Sequence, residues 1–191
     1  MTITAPPGVS IIELNGKAPR IHSSAFLAPG VRIIGDVEIG ADASIWYNCV
    51  LRGDVNRIVV GARTNIQDGS VIHCDGPDER NPAGFPTLIG EDVLIGHMAM
   101  LHGCTLMDRA FVGMGAMAMN GSVIESEGML AAGAMLSPGK VLRSRQLWMG
   151  RPAAHVRDID DAGAADLGGG VARYVENGRR HRAAIDGAAQ G

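Results

Sequence analysis

The sequence predicts a parallel β-helix, a solenoid in which short strands wind around a narrow triangular core. Two patterns predict it: aliphatic residues recur every six positions over most of the chain, and a small residue usually stands four positions after each of them. The composition agrees, with 27 glycines among 191 residues but only two Trp, two Tyr and three Phe. A hexapeptide period of this kind is typical of β-helices and differs from the periods of an α-helix and an ordinary strand.

The aliphatic series defines the predicted elements in chain order. Each repeat predicts one strand and one corner, three repeats make a coil, and successive coils stack at about 4.8 Å. The aliphatic side chains then fill a thin prism with little space for rings, while Gly, Asn and Asp suit its frequent corners. Of the 20 positions in the series, 18 are Ile, Leu or Val: Ile21, Leu27, Ile33, Ile39, Ile45, Leu51, Val60, Ile66, Ile72, Ile89, Ile95, Leu101, Leu106, Val112, Ala118, Ile124, Leu130, Leu136, Leu142 and Trp148.

Two longer steps and a tail complete the predicted organisation. We expect the β-helix over residues 1–152, with loop insertions near 52–59 and 76–86, where the six-residue rhythm is interrupted. A loop as long as the second one is often functional or interfacial in a regular solenoid. Residues 153–191 form the predicted tail, with a helix near 171–185 (Val171 to Ile185) that packs along the prism. The run Gly168 to Gly170 predicts a hinge or a frayed loop before that helix.

Charge, hydropathy and cysteine usage exclude several classes of function. The net charge is −3, so the chain has no basic excess for binding nucleic acid. No run of about 18 apolar residues predicts a membrane span, and the first eight residues do not resemble a signal peptide. An odd number of cysteines (Cys49, Cys74 and Cys104) without such a signal indicates reduced thiols and a cytoplasmic protein.

Three of the six histidines lie in the middle coils, and the repeat assigns each to a face of the prism. His73 and His102 follow consecutive aliphatic positions of the third face, so they stack, with Arg52 in the same column one coil earlier. His97 lies on the second face, with Asp68 as its counterpart one coil earlier. Because the faces of a prism diverge, one chain does not bring all three histidines together. Two chains do so if these faces meet in a closed ring, which predicts a homotrimer with an intersubunit site.

Three neutral imidazoles suit a catalytic zinc with one open position, where zinc lowers the pKa of a bound water and yields a hydroxide nucleophile. Gln67 is then placed to orient the hydroxide. Arg52 is placed to bind an anionic product and to pair with Asp54. Asp68 is placed to hold a ligand histidine by a hydrogen bond.

Each of these residues also has a plainer interpretation. A histidine on a β-helix face is commonly a hydrogen-bonded surface residue, which is what we expect of His22, His155 and His181. Arg52 and Asp54 are also consistent with an interface salt bridge alone, and Gln67 and Asp68 with corner residues. The cysteines next to the histidines are explained as small packing residues.

Several motifs together resemble the gamma-class carbonic anhydrases, and most closely the short bacterial members that are built from hexapeptide repeats. The resemblance covers about residues 10–185. It is carried by His73 and by five runs: Leu51-Arg52-Gly53-Asp54, Asn65-Ile66-Gln67-Asp68, the segment from Gly96 to Cys104, the segment from Val112 to Ala116, and the run Gly150-Arg151-Pro152-Ala153.

The resemblance implies a left-handed β-helix that forms a homotrimer with a metal ion at each subunit interface. The implied metal is zinc, with iron or cobalt as further options. It implies reversible hydration of CO2 to bicarbonate, with His73 and His102 from one subunit and His97 from its neighbour as ligands. By the same resemblance Gln67 orients the hydroxide. Arg52 and Asp54 serve bicarbonate and the interface, Asp68 supports the site, and Tyr174 matches a tyrosine near it. The loop after His73 is shorter than in the archetypal enzymes, with Asp78 and Glu79 as its acidic candidates for proton export.

Two other classes of function fit the same repeat. One is a hexapeptide acyltransferase acting on an acyl-CoA, which commonly uses a single histidine as a base, or a metal-dependent thioesterase that uses the three-histidine site. The other is a non-catalytic trimeric assembly protein that keeps the metal for structure. Metal content and stabilisation by coenzyme A discriminate between them.

Overall fold

The computed structural model describes residues 5–188, and the side chains of all of these except residues 166–168. It is a parallel β-solenoid of about eight turns followed by a single C-terminal helix, which confirms the predicted fold class. Residues 1–4 and 189–191, which the predicted boundaries 1–152 and 153–191 include, lie outside the described residues. Among the described residues, no helix is long and apolar enough to cross a membrane.

Within the described part of the chain, short strands build the solenoid and a helix follows them. The elements are: β1 Ser10–Ile12, β2 Arg20–Ile21, β3 Phe26–Leu27, β4 Arg32–Ile39, β5 Ser44–Ile45, β6 Val50–Val60, β7 Asn65–Ile66, β8 Val71–His73, β9 Thr87–Ile89, β10 Leu94–Ile95, β11 Met100–His102, β12 Thr105–Leu106, β13 Phe111–Val112, β14 Met117–Ala118, β15 Val123–Ile124, β16 Met129–Leu130, β17 Met135–Leu136, β18 Val141–Leu142, β19 Gln146–Gly150, β20 Ala153–Asp158 and α1 Asp161–Ala188.

The strand register follows the six-residue count. Leu51 pairs with Ile72, and Ile72 with Leu101, so these side chains stack in one column of the core. Ile66 pairs with Ile95 on the next face, again one coil apart. Each of these five side chains is fully buried. The core is therefore a stack of aliphatic layers, and a residue's place in its repeat fixes the direction of its side chain.

One corner of the prism carries a column of charged residues in the left-handed conformation, with φ between 55° and 61°. Their charges alternate in sign from coil to coil, and three pairs of neighbours in the column form ion pairs of 2.6–2.8 Å. The column ends on Asp161 and Arg179 of helix α1, which pair with its last and first members. Its members are Asp42, Arg63, Asp92, Arg109, Glu127 and Arg145.

The length of helix α1 matches this column. Eighteen residues separate Asp161 from Arg179, a rise of about 27 Å. The five coil steps from Asp42 to Arg145 span about 24 Å. The helix therefore runs back along the prism beside the face that carries β3, β5, β7 and β10, all of which it contacts.

Two local expectations are wrong. Residues 52–59 form no loop, because β6 runs unbroken from Val50 to Val60 and takes up the extra residues as an irregularity opposite β4, between Gly35 and Val37. The run Gly168 to Gly170 is no hinge, because α1 begins at Asp161 and passes through it. Close packing explains the glycine at position 170, where a Cβ would stand 2.8 Å from Cδ1 of Leu94.

The segment 76–86 does leave the solenoid as a loop. Asp75 and Phe85 close its base by two backbone hydrogen bonds of 2.9 Å. The side-chain amide of Asn56, on β6, donates to the carbonyls of Asp75 and Ala83, at 2.9 Å each. Asp78 accepts from the backbone amides of Arg80 and Asn81, so its carboxylate shapes the turn of the loop.

Candidate functional site

His73 and His102 lie side by side at the ends of two paired strands. Their Cα atoms are partners in the β8–β11 register, and their ring centroids are 5.0 Å apart. Both rings are partly buried. The stacking expected from the repeat is therefore present, and Arg52 lies one coil earlier beside them, because Leu51 pairs with Ile72.

The outer nitrogen of each ring has an acceptor. His73 Nε2 lies 2.8 Å from Oδ1 of Asp54, and His102 Nδ1 lies 2.6 Å from Oδ1 of Asn120. A carboxylate oxygen and an amide oxygen both accept, so each outer nitrogen carries the proton of a neutral ring. The acceptors thus select the tautomer of each histidine.

The inner nitrogens, His73 Nδ1 and His102 Nε2, face each other at 3.0 Å. With the protons on the outer nitrogens, both inner nitrogens of the neutral rings present lone pairs, which repel unless a cation lies between them. Two nitrogens bound tetrahedrally to one zinc at about 2.0–2.1 Å each stand about 3.3 Å apart. The chemistry and the spacing of this pair therefore fit two ligands of one zinc-sized cation.

His97 lies in the turn that follows β10, a strand of the other sheet, and it is oriented in the same manner. Its Nδ1 lies 2.7 Å from Oδ2 of Asp68, which leaves Nε2 of the neutral ring with its lone pair. The other carboxylate oxygen of Asp68 accepts from the backbone amide of Tyr47 at 3.2 Å, which fixes the carboxylate. A ligand histidine held by a carboxylate through its second nitrogen is a common arrangement in metal sites.

A single chain does not complete a metal site. Among the side chains that the structure describes, no group of three or more His, Cys, Asp or Glu could hold a metal ion. His73 and His102 lie in the sheet of β8 and β11, whereas His97 follows β10 in the sheet that packs against α1. The separation expected from the face count is therefore present in the structure.

Arg52 and Asp54 form an ion pair next to His73. Burial opposes ionisation of Asp54, but hydrogen bonds from His73 and Arg52 outweigh it and lower the pKa of this carboxyl below its ordinary value. The side chain of Arg52 is 45% exposed, so its guanidinium pairs with Asp54 and still reaches solvent.

Gln67 is buried beneath the second face, next to Asp68. Its amide donates to Oδ1 of Asn65 at 3.2 Å, and its backbone carbonyl accepts from the thiol of Cys49. The amide nitrogen of Asn65 is buried without a hydrogen-bond partner in the described chain. Gln67 and Asn65 therefore form a buried pair of amides beneath the face that carries His97.

Tyr174 projects from α1 into an aromatic cluster on the same face. Its ring meets Trp46 edge-on at a centroid distance of 5.5 Å. Burial raises the pKa of the Tyr174 hydroxyl, and the negative charge of Asp68 raises it further. Tyr174 therefore lies on the side of the molecule that carries His97.

Sequence reasoning missed Asn120 and Asp75. Asn120 bonds His102, and its amide nitrogen donates to Oδ2 of Asp75 at 2.7 Å. The signal that could have found Asn120 is its place two residues after Ala118, which pairs with Leu101 in the coil before. A polar residue at that position is within reach of His102.

Exposed apolar side chains border both histidine faces. Val71 and Met100, paired neighbours beside His73 and His102, are 41% and 40% exposed. Met98 and Met114, beside His97 and one coil beyond it, are 69% and 59% exposed. Adjacent exposed apolar residues of this kind are typical of protein interfaces.

Comparisons with known proteins agree with the fold and the repeat. A family model described as bacterial transferase hexapeptide (six repeats) matches residues 18–53. The mitochondrial protein gamma carbonic anhydrase 1 of Arabidopsis thaliana is 43% identical over 176 residues, which cover 91% of this chain and 63% of that protein. Protein YrdA of Escherichia coli strain K12 is 40% identical over 158 residues, which cover 83% of this chain and 86% of that protein.

A solved structure extends the comparison to three dimensions. The crystal structure of a hexapeptide transferase family protein from Anaplasma phagocytophilum superposes with a TM-score of 0.83 at 44% identity. The match covers 89% of this chain and 96% of that one. The chain thus spans nearly all of this bacterial relative, but just under two thirds of the plant protein.

Proposed function

The chain belongs to the gamma carbonic anhydrase-like family of hexapeptide-repeat proteins, and from that premise we propose that it catalyses the reversible hydration of CO2 at a metal site shared between two copies of the chain. The observation that carries the proposal is the pair of inner nitrogens, His73 Nδ1 and His102 Nε2, facing each other at 3.0 Å. Their outer nitrogens are held by Asp54 and Asn120, so a cation between the rings removes the repulsion of the two lone pairs.

His97 of a neighbouring copy supplies the third ligand in this proposal. Its Nε2 is free because Asp68 holds Nδ1. The apolar strips beside the two histidine faces support their contact, since burying Met98 and Met114 against Val71 and Met100 removes exposed apolar surface from water. In such a contact one face of each copy meets a different face of the next copy, so the contact repeats head to tail and can close as a ring. Three copies suit a three-sided prism.

Three imidazoles with one open position are the ligand set of a catalytic zinc, and iron or cobalt is a second option for the same nitrogens. When bound, the cation would lower the pKa of a water molecule toward neutral, which is the role of zinc in carbonic anhydrases. The remaining chemistry belongs to the side chains. Asp54 keeps the proton of His73 on Nε2, and Asp68 keeps that of His97 on Nδ1.

Arg52 is the group we assign to bicarbonate. Its guanidinium remains partly exposed while paired with Asp54, so it offers further N–H donors to a planar anion. Gln67 is assigned to orient the attacking water and Tyr174 to border the reaction space, both on the face that would meet the His73 pair of the next copy. The three buried cysteines suit a reducing compartment, so we expect the protein to act in the cytoplasm.

The test combines metal analysis with stopped-flow hydration of CO2 on the purified protein. We expect about one metal per chain, hydration that is lost with His102→Ala, and hydration that is retained with His155→Ala as the matched surface control. His155 pairs with Asp158 on β20, away from the site. Metal-loaded wild type that shows no hydration under oxidising or reducing conditions refutes the proposal.

The alternatives give different results in the same samples. An acyltransferase would contain no metal and would be stabilised thermally by coenzyme A. A thioesterase would contain the metal and hydrolyse an acyl-CoA. An assembly protein would contain the metal, lose its quaternary structure when the metal is removed, and turn over no substrate.

A further inference from the structure

We propose that Asn120, oriented by Asp75, is a positioning residue that keeps the proton of His102 on Nδ1 and leaves Nε2 free to bind a cation. The use of Nε2 as a ligand rests on the proposed function. The position of the proton is a property of the chain itself and is testable without metal.

The orientation of the Asn120 amide follows from its two neighbours. Its Nδ2 lies 2.7 Å from a carboxylate oxygen of Asp75, which only accepts, so the amide end facing Asp75 is the NH2 group. The amide oxygen therefore faces His102 Nδ1 at 2.6 Å and requires a proton there. The carboxylate of Asp75 thus acts on His102 through one intervening amide.

The backbone around this chain of groups is hydrogen-bonded and closely packed. Asp75 stands at the base of the 76–86 loop, paired with Phe85 by two backbone hydrogen bonds of 2.9 Å. Gly103 admits the amide, because a Cβ there would stand 2.7 Å from Asn120 Oδ1 and 2.6 Å from Phe85 Cβ. A Cβ at Gly121 would stand 3.1 Å from the ring of Phe85. The base of the loop (Asp75 and Phe85), rather than its tip, therefore packs around the His102–Asn120 pair.

Loss of the amide oxygen would change what His102 does. Without an acceptor at Nδ1, the proton of the neutral ring moves to Nε2, where it meets the lone pair of His73 Nδ1 at 3.0 Å. The two histidines then satisfy each other with a hydrogen bond, and a cation must break that bond to enter. Removing such a supporting partner typically lowers metal affinity about 10- to 100-fold.

The experiment is long-range nitrogen NMR of the histidine side chains in the metal-free protein, at a pH where the rings are neutral. We expect His102 of the wild type to carry its proton on Nδ1, and Asn120→Ala to move it to Nε2. The double exchange Asp75→Asn with Asn120→Asp keeps one amide and one carboxylate and returns an acceptor to His102, so it should restore the Nδ1 proton. Gln146→Ala, which removes an amide oxygen that accepts from Trp148 Nε1 on β19, is the matched control and should leave the tautomer unchanged.

Metal competition against a chelator is the second measurement, with thermal unfolding as the check that each variant is folded. Asn120→Ala should weaken metal binding about 10- to 100-fold, and the double exchange should recover it. A wild-type His102 with its proton on Nε2, or a tautomer that Asn120→Ala leaves unchanged, overturns the inference. A protein that shows the expected tautomers and affinities but no hydration of CO2 refutes the proposed function alone.

Discussion

Mixing two inactive variants tests whether the site is shared between chains. His73→Ala removes a ligand from one face and His97→Ala removes one from the other, so each variant alone should be inactive. If the two are dissociated, mixed in equal amounts and reassembled at random, each interface has an even chance of taking its His73 face from a His97→Ala chain. It has the same chance of taking its His97 face from a His73→Ala chain. About one quarter of the interfaces are then intact, whatever the number of copies in a closed ring.

The assay is stopped-flow CO2 hydration of the mixture, with bound metal measured on the same sample. We expect about one quarter of the wild-type activity at equal mixing. The control mixes His73→Ala with His102→Ala, because both residues belong to the same face. No interface in that mixture receives an intact pair from one chain, and it should stay inactive. A mixture of His73→Ala and His97→Ala that recovers nothing, with reassembly demonstrated, would refute the shared site.

Three further predictions concern the solenoid itself. Leu101→Ala should lower the free energy of unfolding by about 2–5 kcal/mol in denaturant titration, because removal of the fully buried side chain leaves a cavity between coils. A loss under about 1 kcal/mol would contradict this, since it would mean that the neighbouring core side chains move to fill the cavity. Burial raises the pKa of Cys104 to about 12 and that of Cys49 to about 11, so neither thiol should react with iodoacetamide at pH 8 until the protein unfolds, and labelling of the native protein would contradict this placement. A hydrogen bond from Arg145 lowers the pKa of Glu127, so the ionised carboxylate contributes fully to stability above the ordinary pKa of a glutamate and loses that contribution as the pH falls through the lowered pKa. The difference in unfolding free energy between wild type and Glu127→Gln should therefore shrink with acidification. A difference that grows would contradict the direction of the pKa shift.

Much of the fold follows from the sequence because the hexapeptide period is strict. A uniform parallel register makes residues one coil apart direct neighbours, so the pairing of His73 with His102 and of Asp68 with His97 could be predicted by counting. The same count separates His97 from the other two histidines. The resemblance to gamma-class carbonic anhydrases added the ligand set and the reaction as expectations.

Local departures from the repeat could not be predicted in this way. The step between Leu51 and Val60 is nine residues by sequence, but only the pairing of β6 with β4 and β9 decides that the extra residues extend a strand. A glycine run signals flexibility in isolation. At position 170 a glycine is favoured because α1 approaches Leu94 closely, and no local sequence pattern contains that information.

The sequence by itself determined the column and the face of each candidate residue, because backbone pairing repeats identically from coil to coil. The tertiary structure decided which atoms those residues present. The tautomers of His73 and His102 depend on Asp54 and Asn120, which approach from other turns of the chain. Hydrogen bonds of that kind depend on differences in distance of a few tenths of an ångström, which a repeat of six residues does not encode.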